Sequence, residues 1–229
     1  MANLWYISPS DQTRNIGVGN YGSEEEQMNL LADAIMPHLD RCGVQFHQAD
    51  RNLPITDRPQ EANEMGARYY LALHSNAGGN GAAWGPIAFY HTGGKALAER
   101  LAAELLALGQ QTNRSSHVVQ NTALFELVRP SGNACLLEVD FHDSTIGSQF
   151  ILTRREEIAQ AIAKAIVAID GKQWVAPSIL EDIPAYARPT VRKLLDRGAL
   201  QGKQNGQLDL SEDMLRLLVI HDRMGLYDL

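Results

Sequence analysis

The sequence predicts an α/β fold with a mixed, mostly parallel sheet flanked by helices, followed by a small all-α C-terminal domain. Two observations carry this prediction. Short apolar runs alternate with amphipathic segments as far as about residue 170, and such alternation is typical of βαβ units around a parallel sheet. Beyond that point two helical segments follow, and no further strand pattern is found. The predicted division is therefore residues 1–172 and residues 173–229.

The predicted strands are short apolar runs bounded by turn residues, and the predicted helices are segments whose apolar residues recur three and four positions apart. In chain order the strands are residues 4–7, 44–47, 69–73, 87–90 and 134–139. The helices are residues 23–43, 60–66, 95–108, 153–169, one ending near 198, and 211–224. Three of these helices are predicted to begin at a capping residue: Ser23, Thr153 and Ser211. Ser23 and Thr153 are each followed three positions later by Glu, at Glu26 and Glu156, which is a capping-box pattern.

The composition excludes several classes of protein. The chain of 229 residues has 20 Lys and Arg against 27 Asp and Glu, for a net charge of −7, and it has no basic run. This argues against nucleic acid or an anionic membrane surface as a partner. No apolar stretch approaches the roughly 20 residues that cross a bilayer, and the N-terminus has no signal-peptide pattern. We therefore expect synthesis in the cytoplasm and no membrane insertion. Cys42 and Cys135 are too few for a disulfide framework and are expected to be free core thiols.

Polar residues stand at the ends of three predicted strands. They are the segment from Ser8 to Gln12, then His74, and then Glu138. Because the carboxyl ends of parallel strands open onto one edge of an α/β sheet, these residues are expected to meet there. Together with Glu25 at the start of a helix, they could form a metal site with a carboxylate base beside it.

Three short motifs resemble landmarks of the zinc-dependent N-acetylmuramoyl-L-alanine amidases of the family called Amidase_3. They are LHSNA at residues 73–77, LEVDF at residues 137–141, and Glu25 placed four residues before Asn29. Arg51, Arg58 and Asn63 also resemble the family's pattern, and the resemblance covers roughly residues 4–170. It implies hydrolysis of the amide between N-acetylmuramic acid and the L-alanine of the peptidoglycan stem peptide.

The resemblance also implies a role for individual residues. Glu25 and His74 would bind zinc, and Glu138 would be the catalytic carboxylate that takes a proton from water and returns it to the leaving amine. This is chemically coherent because zinc polarises a carbonyl and lowers the pKa of bound water, so that no nucleophilic side chain is required. From their placement alone, Asn76 and Arg129 are expected to contact the substrate.

The chain departs from the family at the third zinc ligand. Family members usually have a Gly-His pair after the first strand, whereas this chain has SPSDQ at residues 8–12 and no histidine before His38. We rank Gln12 first, because its amide oxygen is neutral like imidazole and has a comparable reach, although it is a weaker donor to zinc. Short reach or an added negative charge counts against the other residues of this segment. The remaining candidates are Ser10, Asp11, Asn15, His91 and His142. Loss of the metal is the other open interpretation.

Two functions are therefore considered. The first is a zinc amidase of the endolysin or autolysin type, and the second is a non-catalytic wall-binding protein that kept the fold and lost the metal. The presence of both Glu25 and Glu138 favours the enzyme, since a buried acid at a strand end would otherwise have no use. Residues 183–229 resemble helical appendages of wall enzymes, and we expect wall attachment or assembly from them, with a homodimer through this module also considered. The protein is expected to act on peptidoglycan after release from the cytoplasm.

Overall fold

The computed structural model describes residues 3–78, 80–176, 180, 183–201, 208 and 210–227. Six strands in this part of the chain form one sheet: β1 (Leu4–Pro9), β2 (Gln45–Gln48), β3 (Tyr69–Asn76), β4 (Ile87–Tyr90), β5 (Val118–Gln120) and β6 (Asn133–Phe141). Their order is β2-β1-β3-β6-β4-β5. Strands β2, β1, β3 and β6 are parallel to one another. Strand β4 pairs antiparallel with β6 and parallel with β5. The predicted mixed, mostly parallel sheet is confirmed.

The helices of the described residues are α1 (Glu24–Arg41), α2 (Arg58–Glu64), α3 (Lys95–Leu106), α4 (Phe125–Val128), α5 (Thr145–Thr153), α6 (Arg155–Ile169), α7 (Arg188–Asp196) and α8 (Glu212–Arg223). Two predicted caps are present, since the Ser23 and Ser211 hydroxyls each accept a backbone N–H three residues on. The predicted cap at Thr153 is wrong. Its hydroxyl donates to the Gln149 carbonyl one turn back, at 2.7 Å, and so belongs to the end of α5.

The two faces of the sheet are covered by helices of different length. Helices α1, α3 and α6 cover one face and pack on strand residues such as Leu71 and Leu137. The short helices α2 and α4 cover the other face, where Tyr6, Tyr70 and Leu136 are buried. Because side chains alternate along a strand, Ser8, His74 and Glu138 project from this second face, in line with those three residues.

The chain divides into two compact units, Met1–Val175 and Ala176–Leu229. The observed division lies three residues beyond the predicted boundary at 172. Within the second unit, α7 and α8 pack against each other through Val191, Leu215 and Val219. None of the helices within the described residues has both the length and the apolar run needed to cross a bilayer.

The central strand β3 makes the fold sensitive to loss of core volume. Leu71 is fully buried at its middle, so we expect Leu71→Ala to lower the free energy of unfolding by about 2–5 kcal/mol. Leu30→Ala is the matched control, because Leu30 is 37% exposed on α1 and its loss should cost less than about 1 kcal/mol. Urea denaturation of the two variants measures the difference. Equal losses would contradict the placement of Leu71 in the core.

Candidate active site

The residues that follow the parallel strands meet at one edge of the sheet, where β1 and β3 lie side by side. The chain leaves β1 toward β2 on one side and returns to β3 on the other, and such a switch point forms a crevice in α/β folds. In the register of β3 and β6, His74 lies directly opposite Glu138. The loop after β1 brings Gln12 to the same place, with its Nε2 atom 3.2 Å from His74 Nδ1. The structure therefore brings Gln12, His74 and Glu138 together as predicted.

Glu24 is the acidic residue that faces His74, whereas the predicted Glu25 does not face it. Glu24 Oε1 lies 2.8 Å from His74 Nδ1, and its side chain is 1% exposed. Glu25 is partly exposed, and its carboxylate accepts a 3.3 Å hydrogen bond from Asn29 Nδ2 within α1. The reason is helix geometry: Glu24 precedes the buried Met28 and Leu31 by four and seven residues and so shares their face. Glu24 therefore takes the place of Glu25 as the candidate ligand.

Asn15 joins Gln12 to Glu24. Its Nδ2 atom donates to Gln12 Oε1 and to Glu24 Oε2, both at 2.7 Å. The Gln12 amide nitrogen is turned toward His74, so its oxygen would face His74 only after rotation about the Cγ–Cδ bond. Asp11 is engaged elsewhere, because its Oδ2 atom accepts from the Ile55 amide at 2.9 Å. Of the loop residues, Gln12 has the reach and position that a ligand requires.

Of the two alternative histidine ligands, one lies at the other edge of the sheet and one is hydrogen-bonded to Ser75. Since β4 is antiparallel to β6 and Tyr90 pairs with Cys135, His91 follows β4 at the opposite edge of the sheet. Three residues of strand separate Cys135 from Glu138, a distance of about 10 Å. His142 is 2% exposed, and its Nδ1 atom lies 2.8 Å from Ser75 Oγ. Replacement of the missing histidine by His91 is therefore contradicted, and His142 is engaged with Ser75.

A cleft of about 290 Å³ opens beside His74. Its charged end consists of His74, Glu126 and Glu138, and apolar side chains form its walls: Ile55, Phe125 and Leu136. The predicted substrate contacts Asn76 and Arg129 are not among the residues that line the cleft. Asn76 accepts from the Ala77 amide at 2.8 Å, and the Arg129 guanidinium lies 5.5 Å from the centroid of the Phe125 ring, which places it at the rim.

Glu126 is a further member of the site that was not predicted from the sequence. This residue of α4 is 4% exposed, and its Oε2 atom lies 2.8 Å from His74 Nε2. Its Oε1 atom accepts hydrogen bonds from Ser8 Oγ and from the Tyr70 hydroxyl, each at 2.7 Å. A signal was present, since a single acidic residue within the apolar run LFELV has to find a buried partner.

The charges at the site shift the pKa values of its members. Burial acts to lower the pKa of His74, but the hydrogen bonds to Glu126 and Glu24 outweigh it and raise that pKa to about 10. Burial acts to raise the pKa of Glu24, and the hydrogen bond and charge of His74 lower it overall. Burial raises the pKa of Glu138 to about 7, with Glu24 and Glu126 adding to the effect and His74 opposing it. Without a metal, His74 is therefore an imidazolium held between two carboxylates.

The donor set fits a divalent cation. Three carboxylates face the crevice, and the fully buried Arg58 guanidinium, which donates to Ser8 Oγ and to the Pro9 carbonyl, offsets one of them. Glu138 Oε2 is buried without a hydrogen-bond partner among the described residues. In the same part of the chain no three His, Cys, Asp or Glu side chains form a set of metal ligands. A metal bound by Glu24 and His74 would therefore take its third donor from another residue type, and the Gln12 amide is beside them.

The fold and the site together define an α/β protein with a histidine between two carboxylates at the carboxyl ends of its parallel strands. Residues 8–168 match the family model Amidase_3, described as N-acetylmuramoyl-L-alanine amidase. The chain belongs to this family.

Solved structures of several amidases share the fold. AmiC2 of Nostoc punctiforme is 19% identical with a TM-score of 0.64, covering 73% of this chain and 96% of its own. The catalytic domain of CwlV from Bacillus (Paenibacillus) polymyxa var. colistinus is 14% identical with a TM-score of 0.65, covering 75% and 99%. The catalytic domain of the CD27L endolysin targeting Clostridia Difficile is 18% identical with a TM-score of 0.57, covering 73% and 97%. No curated protein sequence matches the chain.

Proposed function

We propose that this protein is a zinc-dependent peptidoglycan hydrolase that cleaves the amide between the lactyl group of N-acetylmuramic acid and the L-alanine of the stem peptide. The observation that carries the proposal is the pairing of His74 with Glu138 on neighbouring strands, with Glu24 2.8 Å from the histidine. Family membership supplies the bond that is cleaved, and the geometry supplies the residues that act on it.

Glu24, His74 and Gln12 would hold the zinc ion. The ion supplies Lewis acidity, which polarises the scissile carbonyl and lowers the pKa of water. Glu138 would accept the proton of the attacking water and return it to the leaving amine. Its buried Oε2 atom, which has no hydrogen-bond partner in the described residues, supports this role. The apolar walls at Ile55 and Phe125 suit the methyl groups of the lactyl and alanyl units that flank the amide.

The metal assignment is tested at Gln12. We expect Gln12→Ala to lower zinc affinity and hydrolysis together, because it removes the neutral third donor. Gln12→His should raise zinc affinity above that of the wild type, since imidazole nitrogen is a better donor to zinc than an amide oxygen. Zinc content after dialysis and competition with a chromophoric chelator measure both changes. Full zinc occupancy and full activity in Gln12→Ala would remove Gln12 from the ligand set.

The reaction is tested on purified cell walls by counting newly released L-alanine amino termini and reducing sugar ends. Amino termini without reducing ends are expected, because the amide and not the glycosidic bond is cleaved. Bound zinc without any release would contradict the proposed reaction. Negligible zinc together with intact sedimentation on cell walls would instead favour the non-catalytic wall-binding protein.

The setting and the role of the second unit belong to the same proposal. A hydrolase of this kind reaches its substrate after release from the cytoplasm, in the manner of an endolysin or autolysin. For residues 176–229 we propose wall attachment, on the grounds of the resemblance of this region to appendages of wall enzymes. Nothing observed in the described residues supports a homodimer.

A further inference from the structure

Glu126 makes three hydrogen bonds, and each of its oxygens is used. Oε2 accepts from His74 Nε2 at 2.8 Å, and Oε1 accepts from Ser8 Oγ and from the Tyr70 hydroxyl at 2.7 Å. Burial and the neighbouring carboxylate raise the pKa of Tyr70, so its hydroxyl stays a donor. These contacts come from β1 and β3, so two strands of the sheet fix the position of a carboxylate that α4 carries.

This arrangement decides which nitrogen of His74 can bind a metal. A histidine that ligates a metal through one nitrogen commonly donates its other N–H to a carboxylate, which fixes the ring orientation and strengthens the ligand. Here Nε2 is directed at Glu126, whereas Nδ1 lies 2.8 Å from Glu24 and 3.2 Å from the Gln12 amide. The nitrogen on the side of the other candidate ligands is therefore Nδ1.

We infer that Glu126 is a positioning residue, which holds His74 so that Nε2 carries the proton and Nδ1 binds the metal. The inference rests on the proposed function and adds a residue to it. Glu126 does not act on the substrate amide in this assignment. Its effect passes through the orientation and basicity of His74, and Ser8 and Tyr70 hold it in place.

The experiment compares Glu126→Gln with the matched control Glu61→Gln. Glu61 accepts a hydrogen bond from the Tyr6 hydroxyl, and Tyr6 stacks on Tyr70 at 5.3 Å. The control therefore removes a carboxylate charge from the same face of the sheet without changing a contact of His74. Zinc affinity, measured by chelator competition, is expected to fall about 10–100-fold in Glu126→Gln and to stay at the wild-type value in Glu61→Gln.

A second measurement separates positioning from a general structural effect. In ¹⁵N NMR spectra of the zinc-bound wild type, the His74 Nε2–H signal should be present and Nδ1 should show the shift of a metal-bound nitrogen. Thermal unfolding of the metal-free variants reports stability on its own. Lower stability of Glu126→Gln with wild-type zinc affinity would overturn the inference, and so would an Nε2-bound metal.

Failure of one variant to fold leaves the test intact. Ser8→Ala and Tyr70→Phe each remove one of the two hydrogen bonds to Glu126 Oε1 while His74 keeps its carboxylate partner. Either should therefore weaken zinc binding to a smaller extent than Glu126→Gln. Unchanged affinity in both would contradict the inference. If the wild type binds no zinc, the proposed function fails together with the inference. If the wild type binds zinc and Glu126→Gln binds it equally well, the inference alone fails.

Discussion

Glu138→Gln is expected to abolish nearly all hydrolysis while the protein keeps its zinc. Glutamine has the size of glutamate but cannot accept the proton of an attacking water, and loss of a general acid–base group costs about 10²–10⁴-fold in rate. Glu138 lies opposite His74 in the strand register and lines the cleft, and among the described residues its buried Oε2 atom has no hydrogen-bond partner. The three proposed ligands should therefore remain in place in this variant.

The measurement is the rate of release of L-alanine amino termini from cell walls, taken alongside zinc content. Glu104→Gln serves as the control, because Glu104 forms an ion pair with Arg100 on α3, which covers the opposite face of the sheet. Its activity should equal that of the wild type. Normal turnover by Glu138→Gln would exclude Glu138 from proton transfer, and loss of zinc along with activity would assign it a ligand role instead.

Glu24→Gln and Glu25→Gln, two adjacent variants, should behave in opposite ways. Glu24→Gln removes the charge of a proposed ligand that lies 2.8 Å from His74, so zinc affinity should fall more than the roughly 10–100-fold expected for an outer partner. Activity at limiting zinc should be lost with it. Glu25→Gln should keep both, because the Glu25 carboxylate contacts Asn29 within α1.

This pair is a matched test, since the same chemical change is made one residue apart in the first turn of the same helix. Chelator competition and wall hydrolysis are measured on both variants. If Glu25→Gln were the variant that lost zinc, the first turn of α1 would have to be rotated by about 100° from its observed position. That result would contradict the site geometry described above.

Much of the fold could be predicted because the apolar patterns of β1, β3 and β6 are short, strong and bounded by turn residues. His74 and Glu138 were identifiable as strand-end polar residues, and Gln12 by its neutral oxygen and reach. The interval between Leu106 and Asn133 was harder to predict. The three-residue strand β5 and the four-residue helix α4 are too short for a periodic signal, and tertiary packing determines them.

The incorrect predictions at the site also arise from tertiary packing, which a local sequence pattern does not report. Choosing between Glu24 and Glu25 required the phase of α1 relative to the sheet, and spacing to Asn29 indicated the wrong phase. Glu126 was missed because its partners, Ser8, Tyr70 and His74, lie more than 50 residues away in sequence. The composition of β4 also gives no sign of whether the strand is parallel or antiparallel. It is antiparallel to β6, which places His91 at the far edge of the sheet.

The difference in helix length between the two faces of the sheet bears on how a polymer substrate would reach the site. The face that carries His74 and Glu138 is covered by helices of seven and four residues. The opposite face is covered by helices of 18, 12 and 15 residues. Short helices cover less of a sheet face than long ones, and the cleft beside His74 lies on the face with the short helices. A cross-linked polymer is too large to enter a closed pocket, so the proposed hydrolysis would take place where one segment of the polymer lies in this cleft.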